Sequence, residues 1–273
     1  MKPREFERLS PRVEIELEGP GLHTGASCSV LIAPGKNGIR FSDGERWFKA
    51  SPENVTDTRR STMLGTISTI EHLMSAFAGL GVTDADVLVK GGELPAADGC
   101  SQPYTRALLE VGMTYQGVLV ATPPFSRVYD KTEDHSIAVA VGNGHWRYDY
   151  INGTEWPRLQ SFEIELSPES YMREVAPART FGLEEELPII RQAGLARGLD
   201  ENSALVIGTS GYLNASRFDD EPARHKLLDL IGDLYLSGFP ILGLDVIGEK
   251  SGHRAHVGAA AKLVQHCKVE LLS

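Results

Sequence analysis

Arg224-His225-Lys226-Leu227-Leu228-Asp229-Leu230-Ile231-Gly232-Asp233 is the stretch on which the reading of the whole chain turns. Its apolar positions Leu227, Leu228, Leu230 and Ile231 recur at helical spacing, uninterrupted by Pro or Gly before Gly232. On a helix, His225 and Asp229 stand four apart and project from one face. An imidazole and a carboxylate so placed are two arms of a metal site. Asp233 continues roughly the same row one turn later. On spacing alone, the plainer reading is an amphipathic helix with a solvated polar face. The rest of the chain favours a site.

Upstream and downstream of this stretch the pattern is strand and helix in repeated order. Residues 13–17 alternate like a half-buried strand, 19–25 turn the chain, and 28–32 return. Asn37-Gly38 turns again before 39–41, and 63–67 reads as a strand. A helix opens at Thr69 or Glu71 and closes at Gly79 or Gly81. Residues 86–89 are a strand and 101–111 a helix. In the second half, strands are expected at 118–121, 137–141, 146–150, 162–166, 204–207 and 240–247, with a last short one at 269–271. Ser167-Pro168-Glu169 is a helix start. Residues 183–193 read as a helix interrupted by Pro188, 224–237 as the central helix, and 256–266 as the last. The pattern gives an α+β fold of two domains, 1–116 and 117–273, each with strands and two helices.

At 273 residues the chain has room for two modest domains. Its net charge of -10 argues against a general nucleic-acid binder. Cys28, Cys100 and Cys267 are scattered, with no CxxC, which suits a reducing cytoplasm. The N-terminus has no apolar run resembling a signal peptide, and no stretch of about twenty apolar residues offers a membrane span.

The chemistry gathers around histidines. Glu71-His72 fits neither HEXXH nor HXXEH, since position 76 is Ala76 and position 68 is Ser68. His72 can instead be a single ligand, with Glu71 beside it as general base; alternatively, Glu-His at a helix start is a capping and surface feature. His253, in Lys250-Ser251-Gly252-His253, suits a proton donor held by a carboxylate such as Asp233, or is simply a helix-start residue. His256 is a competitor for that role, and His23 reads as structural. His72, His225 and Asp229 together supply three ligands and leave a fourth position open, as in catalytic zinc sites. Glu71 and His253 then complete a scheme for amide hydrolysis.

Six motifs occur in one order: residues 19–25 (Gly-Pro-Gly-Leu-His-Thr-Gly), 68–73 (Ser-Thr-Ile-Glu-His-Leu), 97–99 (Ala-Asp-Gly), 178–182 (Ala-Arg-Thr-Phe-Gly), 224–226 with Asp229 and Asp233, and 250–253. The chain resembles the UDP-3-O-acyl-N-acetylglucosamine deacetylases, zinc amidases of lipid A synthesis, over nearly its whole length. The resemblance implies two domains of similar topology with helices sandwiched between sheets and the site between them. It implies zinc on His72, His225 and Asp229, with Glu71 as base. His253 would act as acid or stabilise its charge, oriented by Asp233. Thr180 would polarise the acetyl carbonyl. Lys226 and Lys250 would face the phosphates or sugar, and Phe181 would line the glucosamine pocket.

Two departures stand out. Only Gly65-Thr66-Ile67 separate residues 62–64 from 68–71, where the family has a longer hairpin. The segment 152–175, expected to hold an insert forming the acyl-chain passage, matches poorly. A divergent deacetylase of another N-acetylated sugar, or a non-catalytic sugar-nucleotide-binding homologue, are the competing readings. On ligand type, Fe2+ suits the site as well as Zn2+. A monomer acting on acylated UDP-N-acetylglucosamine is expected.

Overall fold

The computed structural model describes residues 4–122, 127–153, 156–266 and 268–271. Two five-stranded sheets within it repeat one plan. In the first, Ile15–Pro20, Ser27–Pro34, Ile39–Ser42, Trp47–Lys49 and Ala85–Lys90 lie in the spatial order first, second, fifth, third, fourth. In the second, Arg127–Lys131, Ser136–Val141, His145–Ile151, Leu159–Glu165 and Leu244–Glu249 take the same order. Each fifth strand pairs antiparallel with the second and parallel with the third. A parallel neighbour demands a long connection, and in both halves that connection carries a helix: Glu71–Leu80 in the first, Glu221–Tyr235 in the second. A further helix follows each fifth strand, Gln102–Val111 and His253–His266. This is the α+β repeat expected from the sequence.

The halves bury their helices against each other. Every residue of Glu71–Leu80 is buried, and in Glu221–Tyr235 only Arg224 and Lys226 are not. A helix buried on all sides belongs between layers, not on a surface. The solvated polar face of the plainer reading is therefore absent: His225, Asp229 and Asp233 are each at most 3% exposed. Gly232 permits the crossing, because a Cβ there would stand 2.1 Å from the Glu71 carbonyl oxygen. Glycine inside a helix costs about 1 kcal/mol relative to Ala, and the close approach of the two backbones offsets it. This crossing puts Glu71 and His72 beside Asp229 and Asp233.

A third sheet has Met113–Thr122 at its centre, flanked antiparallel by Arg4–Pro11 and Lys268–Leu271. The junction expected at 116/117 falls inside this central strand. Cys267 lies outside the described residues; Cys28 and Cys100 are free and buried.

Several boundaries differ from expectation. The last helix begins at His253, not 256, and residues 241–243 form a short 3-10 turn before Leu244–Glu249. Pro188 does not interrupt a helix; it sits in the first turn of Leu187–Gln192, where its missing N–H has no intrahelical partner to lose. The insert also lies elsewhere. Residues 152–175 hold the edge strand Leu159–Glu165, whose Phe162 and Ile164 alternate into the core, and the capped helix Pro168–Glu174. The unit beyond the repeated plan follows Ala178, where Phe181–Leu183 and Leu205–Ile207 pair in parallel around Leu187–Gln192.

Candidate metal centre

His72 and His225 meet edge to face, with ring centroids 5.2 Å apart. Their Nε2 atoms stand 3.9 and 3.5 Å from Asp229 Oδ1. One donor atom from each of the three residues lies within 4.8 Å of the others. The surroundings aim these atoms. His225 Nδ1 donates to the Ala178 carbonyl at 3.0 Å, which leaves the Nε2 lone pair toward the cluster. Lys226 Nζ donates to Asp229 Oδ2 at 2.8 Å, which leaves Oδ1 for the cluster.

Protonation states suit a cation as well. Burial, with His225 adding to it, lowers the His72 pKa to about 3. Burial also lowers that of His225. Asp229 is held below the usual carboxylate range: burial opposes this, but Lys226 and His225 outweigh it. Two neutral imidazoles and one carboxylate, each at most 4% exposed, fit a divalent cation such as Zn2+ or Fe2+.

Glu71 flanks this triad. Its Oε2 accepts the Thr62 backbone N–H at 3.1 Å, and its Oε1 faces His253 Nε2 at 3.9 Å. Burial pushes the Glu71 pKa up to about 8, opposed by His253 and reinforced by Asp233 and Asp229. His253 Nδ1 donates to Asp233 Oδ2 at 2.8 Å. Burial disfavours the imidazolium, yet Asp233, Asp229 and Glu71 raise its pKa to about 9. Asp233 is shared: His256 Nδ1 reaches the same oxygen at 3.0 Å, and Thr62 Oγ1 donates to Oδ1 at 2.5 Å. The donor atoms of Asp233, His253 and His256 also cluster closely, but both histidines are hydrogen-bonded to Asp233.

The other expected residues divide. Phe181 packs edge-on to His225 and Tyr150, at 6.0 and 5.2 Å between centroids. Lys226, with its Nζ on Asp229, also stands 5.9 Å from the Phe181 ring centre. Thr180 is half-buried and fixed through its backbone, its N–H on Gly99 and its carbonyl accepting from Leu205. Lys250 is exposed at a positive φ of 49°, its N–H on the Asp149 carbonyl. Two partners escaped the sequence reading, Thr62 and the Ala178 carbonyl, and His256, read there as a competitor of His253, instead shares Asp233 with it. A hydroxyl bonded across 171 residues of sequence leaves no local pattern to find.

Beside the unit following Ala178 lies a cavity of about 490 Å³, lined by Leu183 and Ile207 together with Glu184, Glu185, Thr209 and two glycines. A larger cleft of about 970 Å³, walled by Met74, Tyr235 and Val257, contains none of the clustered residues.

A family model described as UDP-3-O-acyl N-acetylglycosamine deacetylase matches residues 11–265. The chain belongs to this deacetylase family. The UDP-3-O-acyl-N-acetylglucosamine deacetylase of Thermodesulfovibrio yellowstonii is 35% identical, covering 92% of this chain and 90% of its own length. That of Nitratiruptor sp. is 33% identical over 98% of this chain and 92% of its own length. That of Syntrophotalea carbinolica is 36% identical over 88% and 82%. In this deacetylase-family chain the short segment after Leu64 is a tight turn: Leu64 and Ile67 exchange backbone hydrogen bonds of 2.8 and 3.0 Å.

Proposed function

We infer that the chain hydrolyses the N-acetyl amide of UDP-3-O-acyl-N-acetylglucosamine and releases acetate, the deacetylase step of lipid A biosynthesis. One observation carries this reading: His72 from the first half meets His225 and Asp229 from the second, with Glu71 and His253 alongside. His72, His225 and Asp229 would hold the metal. Zn2+ is the ion we assign, on the strength of the family. Bound there, it would polarise the amide carbonyl, acidify water and favour the ionised form of Glu71.

The remaining work falls to the protein. Glu71 Oε1 takes a proton from the attacking water, while the Thr62 N–H on Oε2 keeps the carboxylate turned toward the cluster. Water oxygen bonds to the acetyl carbon as the C–N bond breaks. His253 Nε2 gives its proton to the departing nitrogen, leaving acetate and a free amine. Asp233 fixes the His253 ring, because Nδ1–H is committed to it. The Thr180 hydroxyl would donate to the oxyanion. Phe181 would pack on the sugar, and Lys226 and Lys250 would meet phosphate or sugar. The 490 Å³ cavity beside Leu183 and Ile207 is where we seat the acyl chain.

Two buried free thiols, Cys28 and Cys100, fit a cytoplasmic setting. No helix among the described residues is long and apolar enough to cross a membrane. The two helix layers cover each other, which supports a monomer. Acetate release from the acylated UDP-sugar, abolished by a chelator and restored by Zn2+, is the expected result. The tight turn at residues 64–67 is the observation favouring a second reading, a deacetylase for another N-acetylated sugar. Turnover of the acylated UDP-sugar no faster than of unrelated N-acetyl sugars would select it.

A further inference from the structure

Arg179 and Glu221 form an ion pair that is almost wholly buried, with side chains 5% and 0% exposed. Glu221 Oε1 accepts from Arg179 N at 3.0 Å and from Nε at 2.9 Å. Its Oε2 accepts from Arg179 Nη2 at 3.2 Å and from Arg217 N at 2.7 Å. Two further guanidinium protons go to carbonyls, Asn202 at 3.1 Å and Ala215 at 2.7 Å. Three places in the chain are thereby tied together: the segment 178–180 leading into the strand Phe181–Leu183, the return of the inserted unit at 202–215, and the first turn of the Glu221–Tyr235 helix.

A buried ion pair adds little net stability over an apolar pair of the same size, because both charges must be desolvated. Its position suggests what it does instead. Arg179 lies between Ala178, whose carbonyl receives His225 Nδ1–H at 3.0 Å, and Thr180. Glu221 sits one turn before His225 on the same helix. The pair therefore fixes the distance between a donor ring and the acceptor that sets its tautomer. A planar fork bonded to three separate acceptors specifies that geometry as a flexible ammonium cannot.

We propose that Arg179 is a positioning residue: paired with Glu221, it holds the Ala178 carbonyl against His225 so that Nε2 presents its lone pair to the metal. The proposal rests on His225 being a ligand. Loss of such an outer partner weakens metal affinity or activity by about 10–100-fold.

The test uses the full-length enzyme with Arg179→Lys, Glu221→Gln and, as a reference, His225→Ala. Zn2+ affinity is measured by competition with a chromophoric chelator, alongside kcat, KM and the Tm of the metal-free protein. Arg179→Lys keeps the charge but loses the fork. It is expected to bind Zn2+ about 10–100-fold more weakly and to lose a comparable factor in kcat. KM should stay within about twofold, since the pair acts on ligand geometry and not on substrate contacts. Parental Zn2+ affinity in Arg179→Lys overturns the proposal, and so does a lowered Tm with affinity unchanged, which marks a purely structural pair. If Arg179→Lys does not fold, the near-isosteric Glu221→Gln is judged by the same criteria. Parental affinity in His225→Ala would instead overturn the ligand assignment itself.

Discussion

Gly232 lies directly against Glu71: a side chain at 232 would begin 2.1 Å from the Glu71 carbonyl oxygen. The residue that starts one helix thus depends on the absence of a methyl group in the other. Gly232→Ala should force the helices apart and lower stability by about 1–3 kcal/mol. Because Glu71 and His72 ride on the displaced helix, kcat should fall too. Chemical denaturation and steady-state kinetics check this; a variant equal to the parent in both would mean the crossing tolerates the methyl.

Glu71→Gln retains the shape of the side chain and removes its ability to take a proton. Zn2+ content should stay at the parental level while kcat falls about 10²–10⁴-fold. Metal analysis paired with acetate release reads both quantities. An unchanged rate would remove Glu71 from the mechanism.

Asp233→Asn should bind Zn2+ normally, since Asp233 bonds to His253, His256 and Thr62 and not to the triad. It takes away the largest influence raising the His253 pKa. An acid must be protonated to act, so the high-pH limb of the rate profile should move to lower pH. A stationary limb would disconnect the pair.

Metal-free protein should lose stability as pH rises from about 6.5 to 9. His253 has a folded pKa of about 9 against an ordinary 6.5, so its contribution is complete below 6.5 and disappears as pH rises through 9. Glu71, raised from 4.5 to about 8, holds its proton more tightly when folded, so its contribution declines over that interval. His72, His225 and His256 act oppositely: all three are lowered by burial, so their contributions are present above 6.5 and are lost as pH falls below it. Those of Asp229 and Asp233, also lowered, are lost only below the ordinary 3.8. Urea unfolding of chelator-treated protein across this range gives the slope, and Glu71→Gln should flatten its lower part. A slope of the opposite sign would contradict these protonation states.

The central helix was legible because Leu227, Leu228, Leu230 and Ile231 keep helical period, and the second sheet's inner strands because buried residues alternate along them. Arg4–Pro11 was not legible. Its Arg4-Glu5-Phe6-Glu7-Arg8 start is mostly charged, and only its last two residues are buried. Trp47–Lys49, Val55–Asp57 and Arg127–Lys131 are short or half-exposed, with too little apolar alternation to register. At the site, His72, His225 and Asp229 could be named from motif order. The Lys226–Asp229 contact follows from i, i+3 spacing on one helix, whereas Asp233 carrying His256 as well as His253, and Thr62 from the first half, follows from the packing of separate elements. No spacing along the chain encodes that packing.

The most direct measurement is anomalous X-ray scattering at the zinc edge from crystals of the enzyme as purified with Zn2+. The account expects one strong peak about 2.0–2.2 Å from His72 Nε2, His225 Nε2 and an Asp229 oxygen. A fully occupied peak elsewhere, with none at these three residues, would contradict it.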